Sequence, residues 1–404
     1  MEGDTVLLAA GTFDQTSDPW DEYPIMMASR IHLMGSGEDV TIIHGNGCFY
    51  NSSVIWMLDC DNSTISDLTI KGGCSGTNNS DCPGGHPEFC GFGGGLFLSY
   101  SNPTLTNVTI SNNMADYGGG MSLLFSNPIL NNVTISNNMA YSLHNYNVEL
   151  EDMYLGHGGG MYLLDSSPIL NNVTISNNTA DLSSGGIFAG FDGNMINPIF
   201  NNVTISNNTA GLYGGGMFFF GNPIFNNVTI SNNTAGLYGG GMLIYWGNPN
   251  LTNSIIWGNS PESIYLDSEN AAPIITYSDI EGGWEGASNF YADPLFNEDY
   301  TLQAGSPCID AGIADTDGDG YDDISGYCGT APDMGAFEYI TEDCEESTLS
   351  GDLNSDGLIN VLDVVVLVNI VLGYGEIIDA GDMNGDGILN VLDVVLLVNQ
   401  ILGN

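Results

Sequence analysis

Residues Asn197–Gly221 read NPIFNNVTISNNTAGLYGGGMFFFG, and residues Asn222–Gly247 repeat the pattern at once as NPIFNNVTISNNTAGLYGGGMLIYWG. Self-similarity at a period near 25 residues marks a solenoid, because each unit can bury its apolar face only against its neighbours. Related copies begin at Asn102, Asn127, Ser167 and Asn248, and weaker ones at Asp39 (DVTIIHGNG) and Asp61 (DNSTISDLTIKGG). The prolines at 103, 128, 168, 198, 223 and 249 stand 25, 40, 30, 25 and 26 residues apart, so some units carry insertions. Within a unit, short β-branched or apolar runs such as Val203–Ile205 and Met217–Phe220 are parted by Asn-Asn and Gly-Gly-Gly turns, with no helical period. Such segments climb one strand spacing, about 4.8 Å, per coil. The expectation for residues 1–290 is a mainly β solenoid, a parallel β-helix.

Composition narrows the function. The 404 residues hold 49 acidic side chains against two basic ones, Arg30 and Lys71, for a formal net charge of −47. Nucleic acid and anionic membrane surfaces are excluded as partners, since both require clustered Lys and Arg. The acidity is either a solvated surface or a sign that multivalent cations belong to the native state. Hydrophobic residues make up 43% of the chain, which is too many for a disordered acidic tail. The 8 cysteines, most in glycine-rich turns or loops, favour an oxidising compartment. Pairing is expected among Cys48, Cys60, Cys74, Cys82 and Cys90, with the connectivity open. No run is long enough to span a bilayer, and Met1-Glu2-Gly3-Asp4 is not a secretory start, so the chain reads as a mature or truncated form.

The other decisive stretch is Gly351–Asn404, where one loop pattern is written twice. The first copy is Asp352, Asn354, Asp356, Gly357, Asn360, Asp363; the second is Asp382, Asn384, Asp386, Gly387, Asn390, Asp393. Oxygen side chains at loop positions 1, 3, 5, 9 and 12, with glycine at 6, wrap a hard oxygen-seeking cation. Each loop runs into an apolar stretch, Val361–Leu372 and Val391–Leu402. Calcium binding is the expectation for these loops. Asp315, Asp317 and Asp319 in DTDGDGYDD repeat the alternation, but position 12 is Gly326, so this stretch is either a further calcium site or a solvated loop.

The C-terminal 54 residues resemble a type I dockerin, a small α-helical paired calcium-loop module by which secreted proteins dock onto a cohesin, with Asp rather than Glu at position 12; the resemblance implies two calcium ions held by the side chains just named, with the carbonyls of Leu358 and Ile388 at position 7. Where cellulosomal dockerins carry Ser or Thr at positions 10 and 11, this chain has Val361-Leu362 and Val391-Leu392, and no Lys or Arg. That departure points to packing against a different surface. Upstream, the chain resembles the right-handed parallel β-helix repeat proteins of bacterial surfaces and secretions. GDTVLLAAGTF looks like the first coil of that family, and SPCIDAG with DMGAFEY (Ser306–Tyr339) its closing segment. The organisation expected is β-helix over 1–290, closing segment over 291–340, acidic linker over 341–348 and calcium module over 349–404.

The resemblance specifies fold rather than activity, because this scaffold carries lyases, hydrolases, adhesins and stalks. Two insertions, Gly72–Phe92 and Met139–Gly156, should leave the same corner of the helix, two coils apart. The first carries His86 and Glu88, the second His144, Glu149, Glu151, Asp152 and His157, so paired carboxylates for glycoside hydrolysis weigh against plain acidic loops. A lyase needs a basic cluster that Arg30 and Lys71 do not supply. The sequon asparagines Asn107, Asn132, Asn172, Asn202 and Asn227 fall at equivalent positions and read as a stacked hydrogen-bonded ladder rather than as glycosylation sites. Phe218, Phe219, Phe220, Tyr245 and Trp246 are either packing residues or a carbohydrate platform. The expectation is an extracellular or cell-surface rod for assembly or adhesion, polymerised or attached through its calcium-ordered module. The alternative is a carbohydrate-active lyase or hydrolase tethered by its dockerin.

Overall fold

Asparagine shapes each coil. The second Asn of every NNV(T) turn takes a left-handed backbone, as at Asn132 (φ 54°), Asn172 (φ 54°) and Asn202 (φ 54°), and so does the first Asn of the SNN turn, as at Asn207 (φ 55°). Asn tolerates this region because its short amide bonds locally where a bulkier residue would clash. The computed structural model of the chain describes residues 3–14, 24–47, 52–76, 90–141, 155–190, 195–316, 320, 322–340, 351–354, 359–372, 379–384 and 388–401.

Those turns break each unit into strands that pair in parallel with the same strand one coil away. A fifteen-stranded sheet collects the PIFNNVTIS segments, a six-stranded sheet the two-residue Thr-Ala or Met-Ala segments, and a nine-stranded sheet the segments typified by Met217–Phe220. Register is strict: Val203 pairs Val228, Thr204 pairs Thr229 and Ile205 pairs Ile230. The parallel β-helix and mainly β class expected from the repeat are what the chain forms. The first coil supplies Asp4–Leu7 against Ile31–Met34 and Gly11–Asp14 against Thr41–His44.

Alternation along each strand sends one set of side chains inward. Phe200, Val203, Ile205, Met217 and Phe219 are buried with their counterparts in one continuous core. The Gly-Gly-Gly turn lets coils approach closely: a Cβ at Gly215 would stand 2.4 Å from the Gly240 carbonyl oxygen. A second ladder lies inside, formed by the second Asn of each SNN turn, Asn113, Asn138, Asn178, Asn208 and Asn233, and continued by Asn259 of Gly258-Asn259-Ser260. All are fully or nearly fully buried, each donates to a strand carbonyl, and each but the last, Asn259, also donates to the next asparagine. Four of the sequon asparagines form the expected ladder at the surface, Asn202 Nδ2 donating to Asn172 Oδ1 at 3.1 Å, Asn172 to Asn132 at 3.3 Å and Asn132 to Asn107 at 3.3 Å, whereas Asn227 is buried and turns its Nδ2 to the Asp333 carbonyl instead.

Contacts divide the chain into two units, Met1–Ile313 with Pro332–Glu338, and Ala314–Ala331 with Tyr339–Asn404. In the first, the segment 332–338 is pinned to the helix: Asn227 Nδ2 donates to the Asp333 carbonyl, the Gly335 N–H to the Asn253 carbonyl and the Ala336 N–H to Thr229 Oγ1. In the second, α1 (Val361–Val371) and α2 (Val391–Ile401) enclose a small core of Leu353, Leu367, Ile370 and Leu397.

The cysteines depart from expectation at one position. Cys74, Cys90 and Cys328 are disulfide-bonded, whereas Cys60 and Cys308 are free and buried. Cys60 points into the coil and donates to the Met27 carbonyl at 3.1 Å, so it serves as a core residue rather than a cross-link.

Candidate functional site

The helical module is organised by its position-12 aspartates. Asp363 is 0% exposed; its Oδ1 accepts the N–H groups of Leu353 (2.9 Å) and Asn354 (3.1 Å), and its Oδ2 accepts that of Asn360 (2.8 Å). Asn360 in turn caps α1, accepting the Leu362 N–H. Asp393 and Asn390 repeat the arrangement, Asn390 accepting from Leu392 and donating its own N–H to Asp393 Oδ2. Asn390 Nδ2 also donates to the Ile388 carbonyl. Asp352 is 7% exposed, Asp393 is 0% exposed, and Asp382 and Asn384 complete the described part of the second loop. Asp356, Leu358 and Asp386 lie outside the described residues, and among those described no group of three His, Cys, Asp or Glu side chains converges on a metal position.

Buried carboxylates are costly unless hydrogen-bond donors or a cation face them. The module contains no Lys or Arg, so the donor set, all oxygen and all acidic or amide, fits a hard divalent cation. Outside the small core the helices expose apolar side chains: Leu362, Val365, Val391, Leu392 and Val395 are each at least half exposed. These include the position 10 and 11 residues that depart from the usual dockerin chemistry, apart from Val361, whose side chain lies outside the described residues.

On the β-helix, the candidate loop residues do not come together as a described site. His144, Glu149, Glu151 and Asp152 lie outside the described residues, as do His86, Glu88, Asp317 and Asp319. The loop stems do stack as expected, Cys74–Ser75, Met114–Ala115 and Met139–Ala140 being consecutive strands of the six-stranded sheet. Asp315 closes a turn, its Oδ2 accepting the Gly320 N–H. His157 is buried and belongs to a ladder of rings: Phe92, Tyr117, His157, Ser183, Tyr213 and Tyr238 pair in successive coils at one corner. Burial pushes the Tyr117 hydroxyl up to about 12.

Beside that corner runs a second file of rings on the outer face of the nine-stranded sheet. Tyr162 stacks on Phe188 (5.5 Å, 3°), Phe188 on Phe218 (4.9 Å, 14°) and Phe218 on Tyr245 (6.0 Å, 26°). Between the two files lies a cleft of about 390 Å³ lined by His157, Ser183, Phe188, Tyr213, Phe218 and Tyr238, with Asp267 at its edge. Of the five residues weighed as a platform, Phe219 instead points into the core, 1% exposed, because strand alternation sends it inward. Tyr245 and Trp246 remain exposed.

Where the closing segment meets the last coil, Asp279 is fully buried, accepting the Ala292 N–H and, at 3.4 Å, the Cys308 thiol. Burial, with the nearby Asp293 and Glu281 charges, raises its carboxyl from 3.8 to about 6. Burial and the Asp279 charge push the Cys308 thiol well above its ordinary range. Nothing in the local sequence around DIEGG marks this burial; it depends on residues about thirty positions away.

Fold and site together define a parallel β-helix protein with an appended paired-loop helical module. That module is a dockerin: residues 350–402 match the dockerin type I domain. No curated protein sequence matches the chain. Among solved structures it is similar to the mannuronan C-5 epimerase AlgE4 A-module of Azotobacter vinelandii, at 17% identity, TM-score 0.39, covering 71% of this chain and 68% of that one. It is also similar to pectate lyase Pel9A (15%, TM-score 0.39, 83% and 87%) and to pectin methylesterase PemA from Erwinia chrysanthemi (10%, TM-score 0.34, 76% and 90%). Among the described residues no helix is long and apolar enough to cross a membrane.

Proposed function

We propose that this chain is an extracellular polysaccharide-engaging β-helix held on a protein scaffold by its calcium-ordered dockerin. The dockerin type I match, with its buried position-12 aspartates, is the observation that carries the tethering part. Two calcium ions would be held by Asp352, Asn354, Asp356, the Leu358 carbonyl, Asn360 and Asp363, and by Asp382, Asn384, Asp386, the Ile388 carbonyl, Asn390 and Asp393. Calcium would supply the counter-charge that lets Asp363 and Asp393 stay buried at the starts of α1 and α2. The docking partner is a cohesin-type protein with an apolar contact surface, matching the exposed Leu362, Val365, Leu392 and Val395.

The polysaccharide part is supported by the ring-lined cleft on the β-helix. Any glycosidic or lyase chemistry would have to come from the carboxylates and histidines of the two insertions, since the chain has only Arg30 and Lys71 as cationic side chains. A second reading, an assembly or adhesion rod polymerised through the same module, is favoured by the exposed apolar helix faces. The test is retention of the full chain on insoluble polysaccharides and in glycan-containing native gels, with and without chelator. Retention on at least one glycan is expected, and failure on every glycan, with chelation dissolving a self-assembly instead, would transfer the assignment to the rod.

A further inference from the structure

Strands of the nine-stranded sheet end in a common bend. Leu58, Ser99, Leu124 and Leu164 pair in register, and the residues that follow them, Asp59, Tyr100, Phe125 and Asp165, all take a left-handed backbone (φ 51°, 48°, 51° and 47°). A buried file holds the bend: Cys60, Ser101, Ser126 and Ser166 come next and turn into the coil. There the Cys60 N–H donates to Ser101 Oγ (2.9 Å), the Ser101 N–H to Ser126 Oγ (3.0 Å) and the Ser126 N–H to Ser166 Oγ (3.0 Å). Asp tolerates a left-handed backbone because its short side chain bonds locally, whereas a large ring is strained there. Two successive coils nevertheless carry Tyr100 and Phe125 at this position. Core packing does not explain them, since they are 56% and 41% exposed. Their rings stack on each other, 4.8 Å apart and 6° from parallel, which leaves the outer face of each without a ring partner.

We propose that Tyr100 and Phe125 form an exposed platform for a neutral polysaccharide, whose pyranose rings lie against the two aromatic rings while its hydroxyls donate to Asp59 and Asp165. This rests on the polysaccharide reading above and gives it an address and a ligand class. Strain held at exposed rings by a buried hydrogen-bonded file belongs to a ligand contact rather than to the core. An aromatic face is negative and a pyranose presents a face of weakly positive C–H bonds, so the two stack. A hydroxyl donating to a carboxylate makes a charge-assisted hydrogen bond. Asn102 and Asn127, exposed two residues beyond the rings, add amides along the same line.

The order of the column selects the ligand. Carboxylate, ring, ring and carboxylate occupy four successive rungs, three strand spacings or about 14 Å from end to end. One cation does not bridge carboxylates that far apart, whereas an extended hydroxylated chain meets both. A uronate chain would meet carboxylates at both ends on a protein of net charge −47. Of the two cationic side chains, Arg30 stands one coil beyond, its N–H on the Asp61 carbonyl, and Lys71 belongs to the fifteen-stranded sheet. A neutral chain needs neither.

The decisive variants are Tyr100→Asn and Phe125→Asn, because Asn accepts the left-handed backbone that the rings strain. Binding of the full chain to insoluble glucan, xylan and mannan, to polygalacturonate and to polyarginine would be measured as depletion isotherms, with Tm as the folding control. Expected are binding to a neutral glycan only, a loss of about tenfold in each variant, and a Tm no lower than that of the parent. Neutral glycan binding that survives both variants would overturn the site but leave the polysaccharide reading standing. Preference for polygalacturonate would overturn the ligand class. No glycan binding by the parent would overturn both, and polyarginine binding lost in the variants would then assign the platform to a cationic protein. If either variant lowers Tm, nitration of Tyr100 in the parent by tetranitromethane, mapped by mass spectrometry, decides: protection by the bound glycan is expected, and its absence refutes the site.

Discussion

Replacing Asn208 by alanine tests whether the internal amide ladder holds the coils together. Asn208 Oδ1 accepts the backbone N–H of Asn178 at 2.9 Å and its Nδ2 at 3.0 Å, while Asn208 Nδ2 donates to the Ile175 carbonyl and to Asn233 Oδ1, both at 2.9 Å. The residue is 0% exposed, so water does not replace what is lost. Two donors on Asn178 lose their acceptor, and a buried orphaned donor costs about 1–3 kcal/mol, so the variant should lose about 2–6 kcal/mol. That is a large part of the ordinary stability of a domain. Asn208→Asp should be worse at neutral pH, because a second oxygen would then face the Ile175 carbonyl and Asn233 Oδ1 with a buried charge. The comparison is Asn202→Gly in the exposed ladder, which keeps the left-handed backbone and loses one exposed bond, costing less than about 1 kcal/mol. Urea midpoints followed by far-UV circular dichroism measure all three. Equal losses for Asn208→Ala and Asn202→Gly would refute the reasoning.

Asp279 has a folded-state carboxyl raised from 3.8 to about 6, so its favourable contribution is complete below pH 3.8 and disappears as pH rises through about 6. Asp279→Asn should therefore stabilise the protein by about 1–3 kcal/mol at pH 7.5 and not at pH 3.5, which a Tm series against pH will show or deny. Asp363→Ala and Asp393→Ala should each remove one calcium ion per chain from a calorimetric titration that gives two for the parent; a parent stoichiometry of one would contradict the paired-loop reading. Cys60 and Cys308, both buried, should stay unreactive toward Ellman's reagent in the native state and react once denaturant is added, whereas rapid native labelling of Cys60 would place it outside the core. A Gly215→Ala variant should unfold at lower temperature than Gly305→Ala despite the left-handed backbone of Gly305, since a Cβ meets the Gly240 carbonyl at 2.4 Å in the first and nothing within 4 Å in the second.

Much of this molecule was legible without coordinates because its structure is written locally. Asn-Asn and Gly-Gly-Gly turns recur at a fixed period, and a short segment between two turns has one way to pair, with its own copy in the next coil. The sequence alone determined the solenoid, the surface asparagine ladder and the two calcium-loop patterns, the last because all their ligands fall within twelve residues. Tertiary structure decided what depends on residues brought together across insertions of different length. Spacings of 40, 26 and 30 residues hide the fact that Tyr117, His157, Ser183 and Tyr213 occupy one corner, which shows only when the coils are stacked. Cys60 reads as a disulfide partner from its place in the sequence, and only the left-handed bend at Asp59 after the strand Ile55–Leu58 shows that it enters the core. Asp279 is the same case for charge: burial beneath a segment that returns about thirty residues later, not anything in its own neighbourhood, makes its carboxyl hold its proton.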